Sequence, residues 1–95
     1  MNTSDRAKLR SIAMTEKAIT QVGKNGVTDT VLKQVDEQLT ARELVKVSVL
    51  RNSDDDVKTV AAALADALGA EIVQTLGFKI TLYRVSTADG VKHLL

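Results

Sequence analysis

Apolar positions along the chain change between helical and strand-like spacing, and this pattern predicts seven elements. Three segments carry apolar residues three or four positions apart, which is the spacing of one helix face. Four shorter segments are rich in Val, Ile and Leu, as β-strands are. Their order is α-β-α-β-α-β-β. This order predicts an α/β fold: a single compact domain with helices packed on a mixed four-stranded sheet that contains at least one antiparallel pair.

The three predicted helices have candidate capping residues as well as apolar stripes. The first covers residues 4–14 with Ser4 as a possible N-cap, and the second covers residues 28–42 with Thr28 as its cap. The third is expected to begin behind Ser53, which would cap it. Their expected buried residues are Leu9, Ile12 and Ala13 in the first, Val31, Leu32, Val35 and Leu39 in the second, and Val57, Val60, Ala61, Leu64 and Leu68 in the third.

The strands are predicted at residues 19–22, 44–50, 71–76 and 79–85. In the second strand, valines at 45, 47 and 49 alternate with Lys46 and Ser48, so one face is apolar and the other can carry charge. Gly77 separates the last two strands and predicts a hairpin. Residues 86–95 have little periodicity and are expected to form a tail, in which the lone His93 is incidental.

The loop between the first strand and the second helix reads Gly23-Lys24-Asn25-Gly26. Glycine allows positive φ and a close approach of the backbone to another chain. The helix that follows supplies unpaired N–H groups and the positive end of its dipole, which favour an anion there. Lys24 adds a mobile positive charge. We interpret this loop as a clamp on a nucleic-acid backbone, although the tetrapeptide alone is more often a tight turn.

Three consecutive acids, Asp54 to Asp56, could suggest a metal site. Negative charge is favoured in the first turn of a helix, and consecutive helical positions point in different directions. We therefore interpret the run as the acidic first turn of the third helix, which would end at Gly69. Because it would repel RNA, we expect this end to face away from a nucleic-acid partner.

Composition restricts the class of protein more than it identifies one. With 95 residues, of which 44% are hydrophobic, the chain suffices for one domain spanning 1–95, with a core at about 4–86 and a tail at 87–95. The absence of cysteine excludes disulfides and cysteine nucleophiles. No Ser/His/Asp set, paired carboxylates or metal-ligand cluster is evident, and the glycine loop lacks the length and the Lys-Ser/Thr ending of a P-loop. We expect no enzyme activity, no cofactor and no metal.

Neither the net charge nor a targeting signal identifies a partner or a membrane. The formal net charge is +1, so any case for nucleic acid depends on where the charges lie. The polar N-terminal segment has no apolar signal-peptide region, and no run approaches the length of a membrane span. We expect a cytoplasmic, monomeric protein without a membrane partner.

Several segments, in the right order and spacing, resemble the bacterial YhbY family, whose members are single CRM domains (chloroplast RNA splicing and ribosome maturation). The resemblance runs from about residue 6 to residue 84. It rests on KLRSIA at 8–13, QVGKNGVT at 21–28, ARELVKV at 41–47, AEIVQ at 70–74, Gly77 and LYR at 82–84.

The resemblance implies a domain similar to the C-terminal domain of bacterial translation initiation factor three. It also implies RNA binding through the GxxG loop and nearby basic residues, and association with rRNA in large-subunit precursors, where ribosomal proteins are further candidate partners. The implied RNA-binding residues are Gly23, Lys24, Asn25 and Gly26, flanked by Arg6, Arg10, Lys46 and Arg84.

Two functions remain open at this point. The first is an RNA-binding protein of large-subunit assembly, with weak sequence readout because Tyr83 is the one candidate for base stacking and core packing suits it better. The second is a protein–protein adaptor that contacts no RNA directly.

Overall fold

Three helices and four strands form in the predicted order. The computed structural model describes all 95 residues. The elements are α1 (Thr3–Ala13), β1 (Thr20–Val22), α2 (Asp29–Arg42), β2 (Leu44–Val49), α3 (Val57–Leu68), β3 (Glu71–Leu76) and β4 (Lys79–Tyr83). None of the three helices is long and apolar enough to cross a membrane.

The four strands form one mixed sheet in the order β1-β2-β4-β3. β1 runs parallel to β2, whereas β4 is antiparallel to both β2 and β3. The predicted hairpin between β3 and β4 is confirmed, and its turn uses Gly77 at φ +58°. β1 and β3 are therefore the two edges, and the β1–β2 end, the start of β4 and the end of β3 lie at the same end of the sheet.

The larger core lies between the sheet and the pair α2 and α3. The predicted stripes of both helices face it: three residues of each are buried, and Leu32, Val57 and Leu68 pack at its margin. The sheet contributes alternate positions of its strands. The buried members are Val22, Val31, Val35, Leu39, Val45, Val47, Val49, Val60, Ala61, Leu64, Ile80 and Leu82.

A smaller core lies on the opposite face, where α1 covers part of the sheet. Leu9 and Ala13 of α1 pack against Leu44 and Val73. The predicted polar face of β2 does carry a charge, at Lys46, but α1 covers part of this face. Ser48 is buried, and the Lys46 side chain is half-buried beneath the end of α1.

The N-caps of two helices differ from those predicted from the sequence. Asn2, and not Ser4, caps α1: its side-chain oxygen accepts from the Asp5 N–H at 2.7 Å. Asp56, and not Ser53, caps α3 by accepting from the Thr59 N–H at 2.7 Å. In both helices the carboxylate or amide lies three residues before the N–H that it satisfies, the usual N-cap geometry. The acidic run therefore precedes α3 and does not form its first turn.

The C-terminal segment forms no helix or strand, as its lack of periodicity predicted, but it is not a loose tail. Glu43 is the C-cap that follows α2, and it is a non-glycine residue in the left-handed region with φ 68°. The Glu43 side chain is 0% exposed and accepts from the N–H groups of Ser86 at 2.7 Å and Leu94 at 2.9 Å. His93 Nδ1 lies 2.7 Å from the same carboxylate. Residues 86–94 therefore fold back onto the end of α2, and His93 makes a structural contact there that the sequence did not predict.

Candidate functional site

The GxxG loop is a closed turn between β1 and α2. The Gly26 N–H donates to the Gly23 carbonyl at 3.0 Å. Gly26 has φ +69°, where a side chain would strain the backbone. Lys24 and Asn25 form the exposed tip, and Lys24 takes part in none of the four ion pairs of the structure. The turn therefore presents a free ammonium group to solvent.

The first turn of α2 lies directly behind this loop. Thr28 caps the helix, as predicted, by accepting from the Val31 N–H at 3.2 Å. The first-turn N–H groups carry the positive end of the helix dipole, which favours a nearby anion. Asp29, also in the first turn, offsets part of this positive potential. Within the loop, Lys24 is the one cationic side chain.

The segment after β2 packs against the loop. A Cβ on Gly23 would lie 3.5 Å from Leu50 Cδ1, and a Cβ on Gly26 would lie 3.7 Å from Asp55 Oδ2. The acidic run therefore lies beside the loop, whereas we expected it to face away from a nucleic-acid partner. The reason is topological: β1 and β2 are parallel neighbours, so the segments that follow them leave the same end of the sheet.

The tip of the β3–β4 hairpin joins the same end of the sheet. The Leu50 N–H donates to the Val22 carbonyl at 2.8 Å, and the Val49 N–H donates to the Phe78 carbonyl at 2.7 Å. The Arg51 guanidinium carbon lies 5.6 Å from the centre of the Phe78 ring, and the Lys79 ammonium group donates to the Ser48 hydroxyl. Arg51 and Lys79 are thus cations near the loop that the sequence analysis missed. To predict that these two residues lie near the loop, one would need the strand order, which hydrophobic periodicity does not reveal.

Two of the predicted flanking cations contact backbone carbonyls of the protein itself. Arg6 Nη1 donates to the carbonyls of Ile72 at 2.6 Å and Val73 at 2.9 Å, where the register of β3 against β4 shifts. Lys46 Nζ donates to the carbonyls of Ala13 at 3.1 Å and Glu16 at 3.3 Å. A cation is favourable at a helix C-terminus, so Lys46 holds the end of α1 on the sheet.

The other two flanking cations differ from each other. Arg84 follows β4 at the end of the sheet opposite the loop, and it donates to the Asp36 carboxylate and to the Leu68 carbonyl, both at 2.9 Å. Arg10 is exposed near the end of α1 and takes part in no ion pair. The structure therefore does not gather the four predicted flanking cations around the loop.

Tyr83 packs beside the smaller core and is half-buried. Burial raises the pKa of its hydroxyl, and the carboxylates of Glu43, Glu71 and Asp5 raise the pKa further. These surroundings agree with the preference for core packing over base stacking.

Glu43 is the buried charged group of the protein. Its burial, the largest single influence, raises the pKa, but the hydrogen bonds from Ser86, His93 and Leu94 together outweigh it. The net result is that the pKa of Glu43 lies below its ordinary value of 4.5. No pattern in the sequence marks this residue, because its partners are about fifty positions away.

Fold and site together define a class: a small α/β domain with a mixed sheet and a closed GxxG turn between its first strand and the helix that follows. Comparison with known families specifies that class. Residues 1–84 match the CRS1 / YhbY (CRM) domain model, so the chain belongs to this family and the predicted resemblance is confirmed.

Individual relatives agree with the family assignment. The chain is 50% identical over 78 residues to Probable RNA-binding protein YqeI of Bacillus subtilis, covering 82% of this chain and 81% of the relative. It is 40% identical over 78 residues to Probable RNA-binding protein MJ0652 of Methanocaldococcus jannaschii, covering 80% of this chain and 58% of that protein. The solution structure of the hypothetical protein SAV1595 from Staphylococcus aureus matches with a TM-score of 0.78 at 39% identity, covering 94% of this chain and 93% of the other.

Proposed function

We propose that this protein binds RNA and acts in assembly of the large ribosomal subunit, holding the rRNA backbone with the GxxG loop. Family membership and the names of its relatives support RNA as the partner. The role in the large subunit follows from the resemblance to YhbY proteins. No catalytic step, cofactor or metal belongs to this proposal, and the protein would act as a monomer in the cytoplasm.

The observation that carries the proposal is the geometry of the turn at residues 23–26. It exposes Lys24 and Asn25 beside the positive end of α2, and its glycines allow close approach of a phosphodiester chain. GxxG loops of KH domains clamp an RNA backbone in this way. Contacts of this kind position a protein on RNA without reading bases.

The flanking cations differ in how many N–H donors they have free for phosphate. Arg10 is exposed and unpaired, so it could add a phosphate contact without losing another. Arg6, Lys46 and Arg84 already donate to protein oxygens, and their contribution to RNA binding stays a prediction. Each could bind phosphate only through donors that the fold does not use.

The test is RNA affinity of Lys24→Ala, measured by filter binding or fluorescence anisotropy at low salt. One lost charge-assisted contact should weaken binding roughly 10- to 150-fold, since such hydrogen bonds contribute about 1.5–3 kcal/mol each. Lys17→Ala is the matched control, because Lys17 is exposed and precedes β1 at the other end of that strand. An equal loss in both variants would mean that general charge, and not the loop, binds the RNA.

The ribosomal part of the proposal needs its own experiment. Tagged protein from cell extract should co-migrate with a large-subunit precursor in a sucrose gradient and crosslink to its rRNA, and Lys24→Ala should abolish both. Migration only at the top of the gradient without crosslinked rRNA would favour the protein–protein adaptor instead.

A further inference from the structure

The end of the sheet that carries the GxxG loop also carries an exposed aromatic ring. Phe78, at the tip of the β3–β4 hairpin, is 48% exposed and belongs to neither core. Leu76 and Leu50 at the same end are 68% and 38% exposed. Packing within the domain therefore does not account for the ring.

Arg51 extends this ring into a larger platform. Its guanidinium carbon lies 5.6 Å from the ring centre, within the range of a cation–π contact. Arg51 forms none of the four ion pairs, although the acidic run begins three residues later. Its N–H donors thus stay available for a ligand, and both aromatic rings and guanidinium planes stack on unpaired RNA bases.

A shallow groove of about 260 Å³ adjoins the platform. Phe78 and Arg51 border it together with Leu50, Val57 and the three acids, Asp54 to Asp56. Carboxylates repel phosphate, but they accept hydrogen bonds from the N–H and NH₂ groups of bases. The groove consequently suits a base and disfavours the backbone, whereas the neighbouring GxxG loop has the opposite preference.

The two sites are close enough to serve one strand. Leu50 touches the position of a Gly23 Cβ at 3.5 Å, and its chain neighbour Arg51 lies over Phe78.

We propose that Phe78 and Arg51 form a stacking site for one unpaired base of the RNA strand whose backbone the GxxG loop holds. This inference rests on the proposed function and adds a substrate class to it: single-stranded or bulged RNA is preferred over a continuous duplex. The base binds in the groove, and the adjacent phosphate binds at the loop.

The test compares Phe78→Ala with Phe78→Trp on two probes, a short single-stranded homopolymer RNA and a blunt RNA duplex of equal length. Stacking of one base contributes about 1–3 kcal/mol, so Phe78→Ala should weaken single-strand binding by roughly 5- to 150-fold. Duplex affinity should change less than about twofold. Phe78→Trp should retain single-strand binding, because it keeps an aromatic ring at this position. Val85→Ala is the control, because Val85 is an exposed apolar residue beyond the other end of β4.

A second measurement reports the stacking directly. A 2-aminopurine base in the single strand should lose fluorescence on binding to the wild type and lose less on binding to Phe78→Ala. Unchanged single-strand affinity in Phe78→Ala, or an equal loss for both probes, would overturn the stacking site while leaving a Lys24-dependent clamp intact. Absence of RNA binding by the wild type would overturn the clamp and the stacking site together.

Discussion

At the scale of single residues, position in the fold and not residue type separates the basic side chains. Lys24 is free at the tip of a turn, whereas Lys46 donates twice to the end of α1. Both lysines were predicted to bind RNA, but Lys24 follows a strand and Lys46 lies within one. The GxxG turn was recognisable because its conformation depends on neighbours in the chain, whereas the surroundings of the flanking cations depend on contacts between distant segments.

Glu43 gives the clearest prediction at this scale. Its pKa in the folded protein lies below the ordinary value of 4.5, so its contribution to stability is complete above that pH and is lost as the pH falls through the folded-state pKa. Glu43→Gln should lower the free energy of unfolding at pH 7 by about 1–3 kcal/mol, because bonds to a buried charge are lost. The variant's stability should also fall less than the wild type's on acidification below pH 4.5.

Urea unfolding at pH 7 and across the acid range measures both effects. Glu37→Gln is the matched control, since Glu37 is an exposed glutamate on the same helix. Parallel pH profiles for wild type and Glu43→Gln would show that the buried carboxylate does not couple stability to pH.

At the scale of elements, helix faces were predictable and helix starts were less so. The apolar stripes of α2 and α3 face the larger core as expected, because helical periodicity directly reports a buried face. The starts of α1 and α3 were misplaced because Ser, Asn and Asp are all good caps. Which of several neighbouring candidates is used depends on where the preceding chain turns, and at α3 the Ser53 hydroxyl donates to the Asp55 carbonyl instead of capping the helix.

The buried face of α2 can be tested with Leu39→Ala. Leu39 is 0% exposed within the larger core, so its truncation should lower the free energy of unfolding by roughly 2–5 kcal/mol. Leu76→Ala provides the comparison, because Leu76 is 68% exposed and should cost little. A denaturant melt measures both, and similar small losses would place Leu39 outside the core.

At the scale of the whole molecule, a net charge of +1 gives no general attraction to RNA. The proposed RNA binding therefore depends on a local concentration of cations, and the sheet topology places Lys24, Arg51 and Lys79 at one end. Parallel pairing of β1 with β2 and the central position of β4 bring these three residues together from separate parts of the chain.

This arrangement predicts a modest salt dependence. Two phosphate contacts on a single strand, from Lys24 and Lys79, should give a slope of log affinity against log salt of about −1.4, because Arg51 is assigned to the stacked base. Affinity measured between low and moderate salt gives that slope, and Lys24→Ala should reduce its magnitude by roughly 0.7. A slope near zero would indicate that the binding surface does not neutralise phosphates.

The sequence by itself determined the element order, the buried helix faces, the hairpin at Gly77, the cap at Thr28, the GxxG turn and the family. All of these depend on residues near one another in the chain, where periodicity and backbone preferences act. The tertiary structure alone decided the strand order, the proximity of the acidic run and Phe78 to the loop, the fold contacts of Arg6, Lys46 and Arg84, and the burial of Glu43 beneath the C-terminal segment. Each of these joins distant segments, and which segments meet is set by packing of the whole sheet, which no local pattern encodes.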